Sequence, residues 1–201
     1  MKYELKEYEH LLESENWFNY SHLYDYIVNE YPDFKNFAEV GVWKGHSISY
    51  LAHLLKDREG VKISAVDLWE TCVDQPGFIY LGVAEKDEVW QYLYAIYNEN
   101  VTRVGVRDLI TDYKQCSWEA AENFEDESLD FCFIDAGHSY EEVIKDIDAY
   151  LPKMKKTGIL AGHDYSTPCG VRQAVDEKFG DNVYTSNQRI CWWVYMKDLQ
   201  K

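Results

Sequence analysis

The apolar residues of this chain come in two rhythms that alternate along its length. Short apolar runs, Asn36–Val42, Val61–Val66, Leu109–Tyr113, Phe131–Ile134 and Ile159–Ala161, have the length of buried strands. Between and after them, Ser47–Leu55, Asp87–Tyr97, Trp118–Phe124, Tyr140–Tyr150 and Val171–Phe179 carry apolar side chains at helical spacing. Ahead of the first run, Tyr3–Glu30 spaces Leu11, Leu12, Trp17, Leu23, Tyr26 and Ile27 as one or two helices, which Pro32 ends. Val183–Ser186 and Ile190–Met196 read as a closing antiparallel hairpin across Asn187 and Gln188. This alternation predicts an α/β domain with a doubly wound, mostly parallel sheet and a C-terminal antiparallel hairpin. The chain reads as a single domain, 1–201, with a helical segment at 1–32. An aromatic-rich insertion at 68–100 is expected to form a lid or substrate wall.

Composition narrows the partners. With 46% hydrophobic and 28% charged residues, the chain has the make-up of an ordinary globular domain. Its net charge of −16 speaks against a nucleic-acid partner, because phosphate binding needs a basic face. No apolar run reaches membrane-spanning length, and the charged stretch Met1–His10 does not read as a signal peptide. Five scattered cysteines without a Cys-x-x-Cys pair suggest reduced thiols and a cytoplasmic location. The 7 Trp and 17 Tyr exceed what one core can bury, so some rings are expected at a pocket or at a homodimer interface.

The candidate chemistry sits at strand ends. Phe131–Ile134 runs into Asp135, with His138 three residues on; Ile159–Ala161 runs into His163 and Asp164. In an open α/β sheet, ligands bind outside the carboxyl ends of the strands, so these four side chains are expected to share one crevice. A carboxylate–histidine cluster there can hold a divalent cation or move a proton. The competing reading is that the two acids merely cap the helices that follow. It accounts for the acids but not for a histidine beside each.

The first strand leads into Glu39-Val-Gly41-Val42-Trp-Lys-Gly45, where glycines allow close backbone approach to a ligand at a helix amino terminus. The third glycine of a dinucleotide fingerprint is missing, and no Lys-Ser/Thr closes a phosphate loop. Glu39 suits a cationic or amine-bearing ligand. Asp67, at the end of the second strand, is placed to accept hydrogen bonds from ribose hydroxyls, although an acid there can equally be a turn residue. The four histidines His10, His22, His46 and His53 and the pair Trp192 and Trp193 read as packing or surface residues. Trp43 and Trp69 flank the turn and Asp67 and are better placed to touch a ligand.

Glu-x-Gly-x-x-x-Gly, the acid after strand two and Ser-Leu-Asp-Phe-x-Phe-Ile-Asp-Ala resemble a class I S-adenosylmethionine-dependent methyltransferase. Ile134-Asp135-Ala136-Gly137-His138-Ser139-Tyr140 and Gly162-His163-Asp164-Tyr165 resemble the branch related to metal-dependent sugar and macrolide O-methyltransferases. The resemblance spans about Phe34 to Lys178 and implies a Rossmann-like, seven-stranded sheet. It further implies that Gly41 and Val42 border the methionine part of S-adenosylmethionine, with Glu39 facing its amino group directly or through water and Asp67 on the ribose, and that Gly45 and Asp135 are also among the cofactor-binding residues. Ser117 and Trp118 fall beside the adenine. Asp135 and Asp164 match ligands of Mg2+, and His138 matches a general base, with Asp135 and His163 in the same catalytic group. Here His163 stands where relatives carry a second adjacent acid, which favours a softer divalent metal or none. The expected activity is O-methylation of a small hydroxylated acceptor, a sugar or a phenol. A nicotinamide or nucleotide-sugar oxidoreductase and a non-catalytic nucleoside-binding module are the alternatives, the first disfavoured by Glu39 and the absent glycine, the second by the ionisable cluster.

Overall fold

A computed structural model of the chain describes residues 17–69, 86–186 and 189–200. Expectations for Tyr3–Asn16, for positions 70–85 of the 68–100 insertion and for the Asn187–Gln188 turn fall outside them. Seven strands form one sheet: β1 (Asn36–Val40), β2 (Lys62–Asp67), β3 (Ile110–Lys114), β4 (Leu129–Ile134), β5 (Met154–Gly162), β6 (Tyr184–Thr185) and β7 (Trp192–Tyr195). Their order is β3-β2-β1-β4-β5-β7-β6. The first five are parallel, whereas β7 runs antiparallel to both β5 and β6. The expected doubly wound sheet and closing hairpin are therefore present.

Alternation along the central strands places a separate core on each face. Phe37, Phe131 and Phe133 point to one side, where α1 (Ser21–Glu30), α2 (His46–Leu55) and α3 (Lys86–Val104) supply Tyr24, Ile27, Ile48, Leu51, Leu93 and Ile96. Ala38, Val40, Cys132 and Ile134 point to the other. There they meet side chains of α4 (Ser117–Ala120), α5 (Tyr140–Tyr150) and α6 (Val171–Phe179), including Val143, Ile147 and Val175. Every residue of β4 is buried, as a central parallel strand covered on both faces requires.

Local chemistry sets the element ends. Ser139 caps α5 through a capping box with Glu142, and Glu141 and Glu142 lie in the first turn, where the helix dipole favours acids. Arg58 closes the connection after α1 by donating to the carbonyls of Val28, Tyr31 and Phe34. Some elements differ in length from their sequence patterns. β5 starts five residues before Ile159, because Met154 already pairs with Leu129; the polar stretch Lys155–Thr157 lies in a register shift between that pair and Phe131–Ile159. α3 continues past Tyr97, with Val101 buried and Glu99 paired to Arg103 one turn on. No described helix is long and apolar enough to cross a membrane.

The sheet closes tightly at one point. Gly41 has φ +87°, and a Cβ there would lie 2.0 Å from the Asp135 carbonyl oxygen. Gly41→Ala is expected to lower stability by about 2–4 kcal/mol, from left-handed backbone strain plus a clash with main chain that cannot rotate away. Urea denaturation checks this; an unchanged midpoint would contradict the close approach.

Candidate active site

The residues singled out in the sequence stand side by side along the carboxyl edge of the parallel strands. Across the sheet come Ser117 beyond β3, Asp67 at the end of β2, Gly41 after β1, Asp135 after β4, and His163 with Asp164 after β5. At about 4.8 Å per strand, four steps make an edge of roughly 19 Å, enough for a nucleoside beside a small acceptor. Three of these tips carry non-glycine residues at positive φ: Trp43 (51°), Trp69 (47°) and Asp164 (57°). Such strain persists only where its surroundings enforce it, and it gathers at ligand sites.

The glycine turn is held from two sides. The Gly41 amide donates to the Val66 carbonyl, and the Asp135 amide donates to the Val40 carbonyl. Asp67 Oδ2 accepts from the amides of Val42 (2.7 Å) and Trp43 (2.8 Å), and Oδ1 accepts from the amide of Trp69 (2.7 Å). Asp67 thus does the work of a turn residue: burial raises its pKa, while the amides of Trp69, Trp43, Val42 and Leu68 favour its charged form. Gly45 begins α2 at φ +80°, packed so closely on Tyr97 that a Cβ would meet its ring at 2.7 Å.

Glu39 lies beneath this turn, fully enclosed on the α1 side of β1. Tyr24 donates to its Oε2 at 2.7 Å and Ser47 to its Oε1. Burial raises its pKa to about 8 against the lowering effect of those two bonds. Of the two expected ways of facing an amino group, directly or through water, an enclosed carboxyl is suited to the indirect one.

The second half of the edge is an acid–histidine cluster. His138 Nε2 lies 2.9 Å from Asp164 Oδ2 and 3.5 Å from Asp135 Oδ1. His163 Nδ1 lies 3.4 Å from Asp164 Oδ2 and 3.6 Å from Asp135 Oδ1. The four residues predicted to share a crevice do share it. Neither acid caps a helix: Ser139 caps α5, the N-cap of α6 is Gly170, and Asp164 Oδ1 accepts from Thr167 at 2.6 Å. Burial opposes charge on both histidines, but pairing with Asp135 and Asp164 overcomes it and lifts His138 to about 10 and His163 to about 9. The same pairs hold Asp135 and, more strongly, Asp164 below the usual carboxylate range despite burial.

Donor atoms of Asp135, His138 and Asp164 all lie within 4.8 Å of one another. Two carboxylates on one side of a crevice fit a divalent cation such as magnesium or manganese, and leave the neighbouring His138 imidazole for proton transfer.

The remaining expected contacts are more dispersed. Ser117 donates to Asp146 on α5, and Tyr150 donates to the Ser117 carbonyl at 2.9 Å, so the turn after β3 is anchored from behind. Trp118 lies under the Lys145 ammonium at 4.7 Å. Trp69 is buried against Tyr97 and donates to the Trp43 carbonyl, whereas Trp43 stacks on Trp17 at 5.3 Å. Sequence reasoning missed two contributors. Tyr20 donates to Asp135 Oδ2 at 3.3 Å, and Asn19 Oδ1 lies 3.1 Å from His163 Nε2. No local signal marks them, since their partners are 115 and 144 residues away.

A doubly wound sheet with this glycine turn and acid-lined edge is an α/β architecture whose ligand site lies at the carboxyl ends of its strands. A family profile described as "Methyltransferase domain" matches residues 38–165, and the chain belongs to that family. This agrees with the class I methyltransferase motifs and sets aside the oxidoreductase alternative. No curated protein sequence matches the chain. Among solved structures, it is similar to the O-methyltransferase NovP, with TM-score 0.65 and 16% identity over 87% of this chain and 76% of that one. It is also similar to CalS11, a TDP-rhamnose 3'-O-methyltransferase of calicheamicin biosynthesis, with TM-score 0.59 and 16% identity over 96% and 82%. The O-methyltransferase TomG from Streptomyces achromogenes, solved in complex with SAM, gives 0.60 and 12% over 87% and 78%. At these identities the likeness is one of fold.

Glu39 makes stability depend on pH in a definite direction. Its folded pKa, about 8, lies above the unfolded value near 4.5, so the folded state holds a proton that the unfolded state has lost. The stabilisation is complete below about pH 4.5 and is lost as pH rises through 8, on the order of 3–5 kcal/mol in all. Glu39→Gln keeps a neutral group of the same shape and should flatten this part of the profile. Denaturant titrations of parent and variant between pH 5 and 8.5 check it; parallel slopes would show that Glu39 is already ionised.

Proposed function

We propose that the chain transfers the methyl group of S-adenosylmethionine to a hydroxyl of a small acceptor, a sugar or a phenol, with a divalent cation at Asp135 and Asp164. The observation that supports this reading best is the convergence of two acids and two histidines one strand from the glycine turn. Membership of the methyltransferase family and the fold likeness to O-methyltransferases supply the reaction class.

In this reading Gly41 and Val42 border the methionine end, and Asp67 faces the ribose. Ser117 and Trp118 flank the adenine, and Glu39 acts on the amino group indirectly, from beneath the turn. The cationic sulfonium is favoured by a crevice bordered by Asp67, Asp135 and Asp164. The acceptor oxygen attacks the methyl carbon, the carbon–sulfur bond breaks with its electron pair passing to sulfur, and the hydroxyl proton moves to His138 Nε2. His138 can take that proton only after giving up the one it holds in the ion pair. A cation at Asp135 and Asp164, when bound, would supply charge that releases this proton and stabilises the incipient alkoxide. The acids orient the imidazole, and proximity does the rest.

Calorimetry with S-adenosylmethionine and its demethylated product, followed by labelled methyl transfer to a panel of sugars and phenols, tests the reading. Chelation should abolish turnover and leave cofactor binding largely intact. His138→Ala should lower turnover by roughly 10²–10⁴-fold at unchanged cofactor affinity. Full turnover after exhaustive chelation would remove the cation from the mechanism. Failure to bind S-adenosylmethionine would overturn the reading as a whole.

A further inference from the structure

The four residues ahead of α1 touch three strand tips in succession. Trp17 stacks on Trp43 beyond β1, Tyr20 bonds Asp135 beyond β4, and Asn19 meets His163 beyond β5. Tyr20 is almost fully buried, its ring stacked on Phe133 at 4.7 Å and tilted against His163 at 4.8 Å. The family match begins at residue 38 and so assigns these residues nothing.

We propose that Asn19 and Tyr20 are positioning residues that hold the acid–histidine cluster in its working orientation. The inference rests on the reading of that cluster as the reaction centre. Both histidines approach Asp135 at Oδ1, which by itself leaves the carboxylate free to turn about its last torsion. Tyr20 binds the opposite oxygen, Oδ2, and fixes the plane. Its phenol is pushed well above the ordinary range by burial, so it remains a donor. On His163, Nδ1 faces both acids; Asn19 Oδ1 accepts from Nε2 and prevents the ring from flipping. Docking of α1 does not require these bonds, because Leu23, Tyr24 and Ile27 are already buried in the core.

The test compares full-length Tyr20→Phe and Asn19→Ala with Tyr26→Phe, which removes a hydroxyl from the α1 helix that follows them, where it meets Tyr195. Two readouts are taken on each: the dissociation constant for Mn2+ and the ring signals of 13C-labelled histidines in metal-free protein. Tyr20→Phe should weaken Mn2+ binding by about threefold to tenfold, the size of one lost hydrogen bond. Asn19→Ala should shift and broaden the His163 signal, and the melting temperature of both should move little. Tyr26→Phe should match the parent throughout. Unchanged Mn2+ affinity and unchanged histidine signals in both variants would overturn the proposal, as would a large loss of stability with the signals of the folded fraction intact. Should the parent itself bind no Mn2+, the cation part of the function fails separately, and the histidine signals alone decide the positioning roles.

Discussion

The close contact between the turn after β1 and the tip of β4 is the constraint on which the rest of the site depends. A residue with a Cβ at position 41 would overlap the Asp135 carbonyl, so glycine there is what lets two neighbouring strands end flush. The exchange of main-chain bonds follows, Gly41 to Val66 on one side and Asp135 to Val40 on the other. Asp67 then draws the amides of Val42 and Trp43 toward β2. Three strand tips are thus joined by main-chain bonds and by one side chain, the Asp67 carboxylate. Apart from Asp67, the side chains at those tips can vary in chemistry without disturbing the edge that presents them.

That division explains which parts of the molecule were legible in the sequence. The sheet was legible because two buried faces impose alternation on strands and a 3.6-residue period on helices, and both patterns are local. The acid–histidine crevice was legible because strand ends in a parallel sheet all face the same way, so Asp135 and His163 had to become neighbours once β4 and β5 paired. Glu39 was harder. Its position before the turn suggested a ligand contact, but Tyr24 and Ser47 enclose it, and nothing near residue 39 announces Tyr24. Asp67 was half legible: an acid was expected to accept there, yet backbone amides, which have no sequence signature, fill three of its positions. Asn19 and Tyr20 were not legible at all, because their roles exist only after α1 has docked.

Burial and charge are balanced differently in the two halves of the edge. Under the glycine turn, Glu39 has hydroxyl donors but no cation, and its carboxyl is pushed toward neutrality. At the tips of β4 and β5, the acids have histidines, and both kinds of group are held in their charged forms. Desolvation acts on every one of these groups; what differs is the partner. At Glu39 the two hydroxyl donors do not offset burial, whereas at Asp135 and Asp164 the histidines do.

The second arrangement sets the shape of the crevice. Two carboxylates this close would repel one another and splay apart if left alone. The histidines beside them favour the charged acids and keep the cluster compact in a chain whose net charge is −16. The geometry at the tips of β4 and β5 is therefore one that neither the acids nor the histidines would hold without the other.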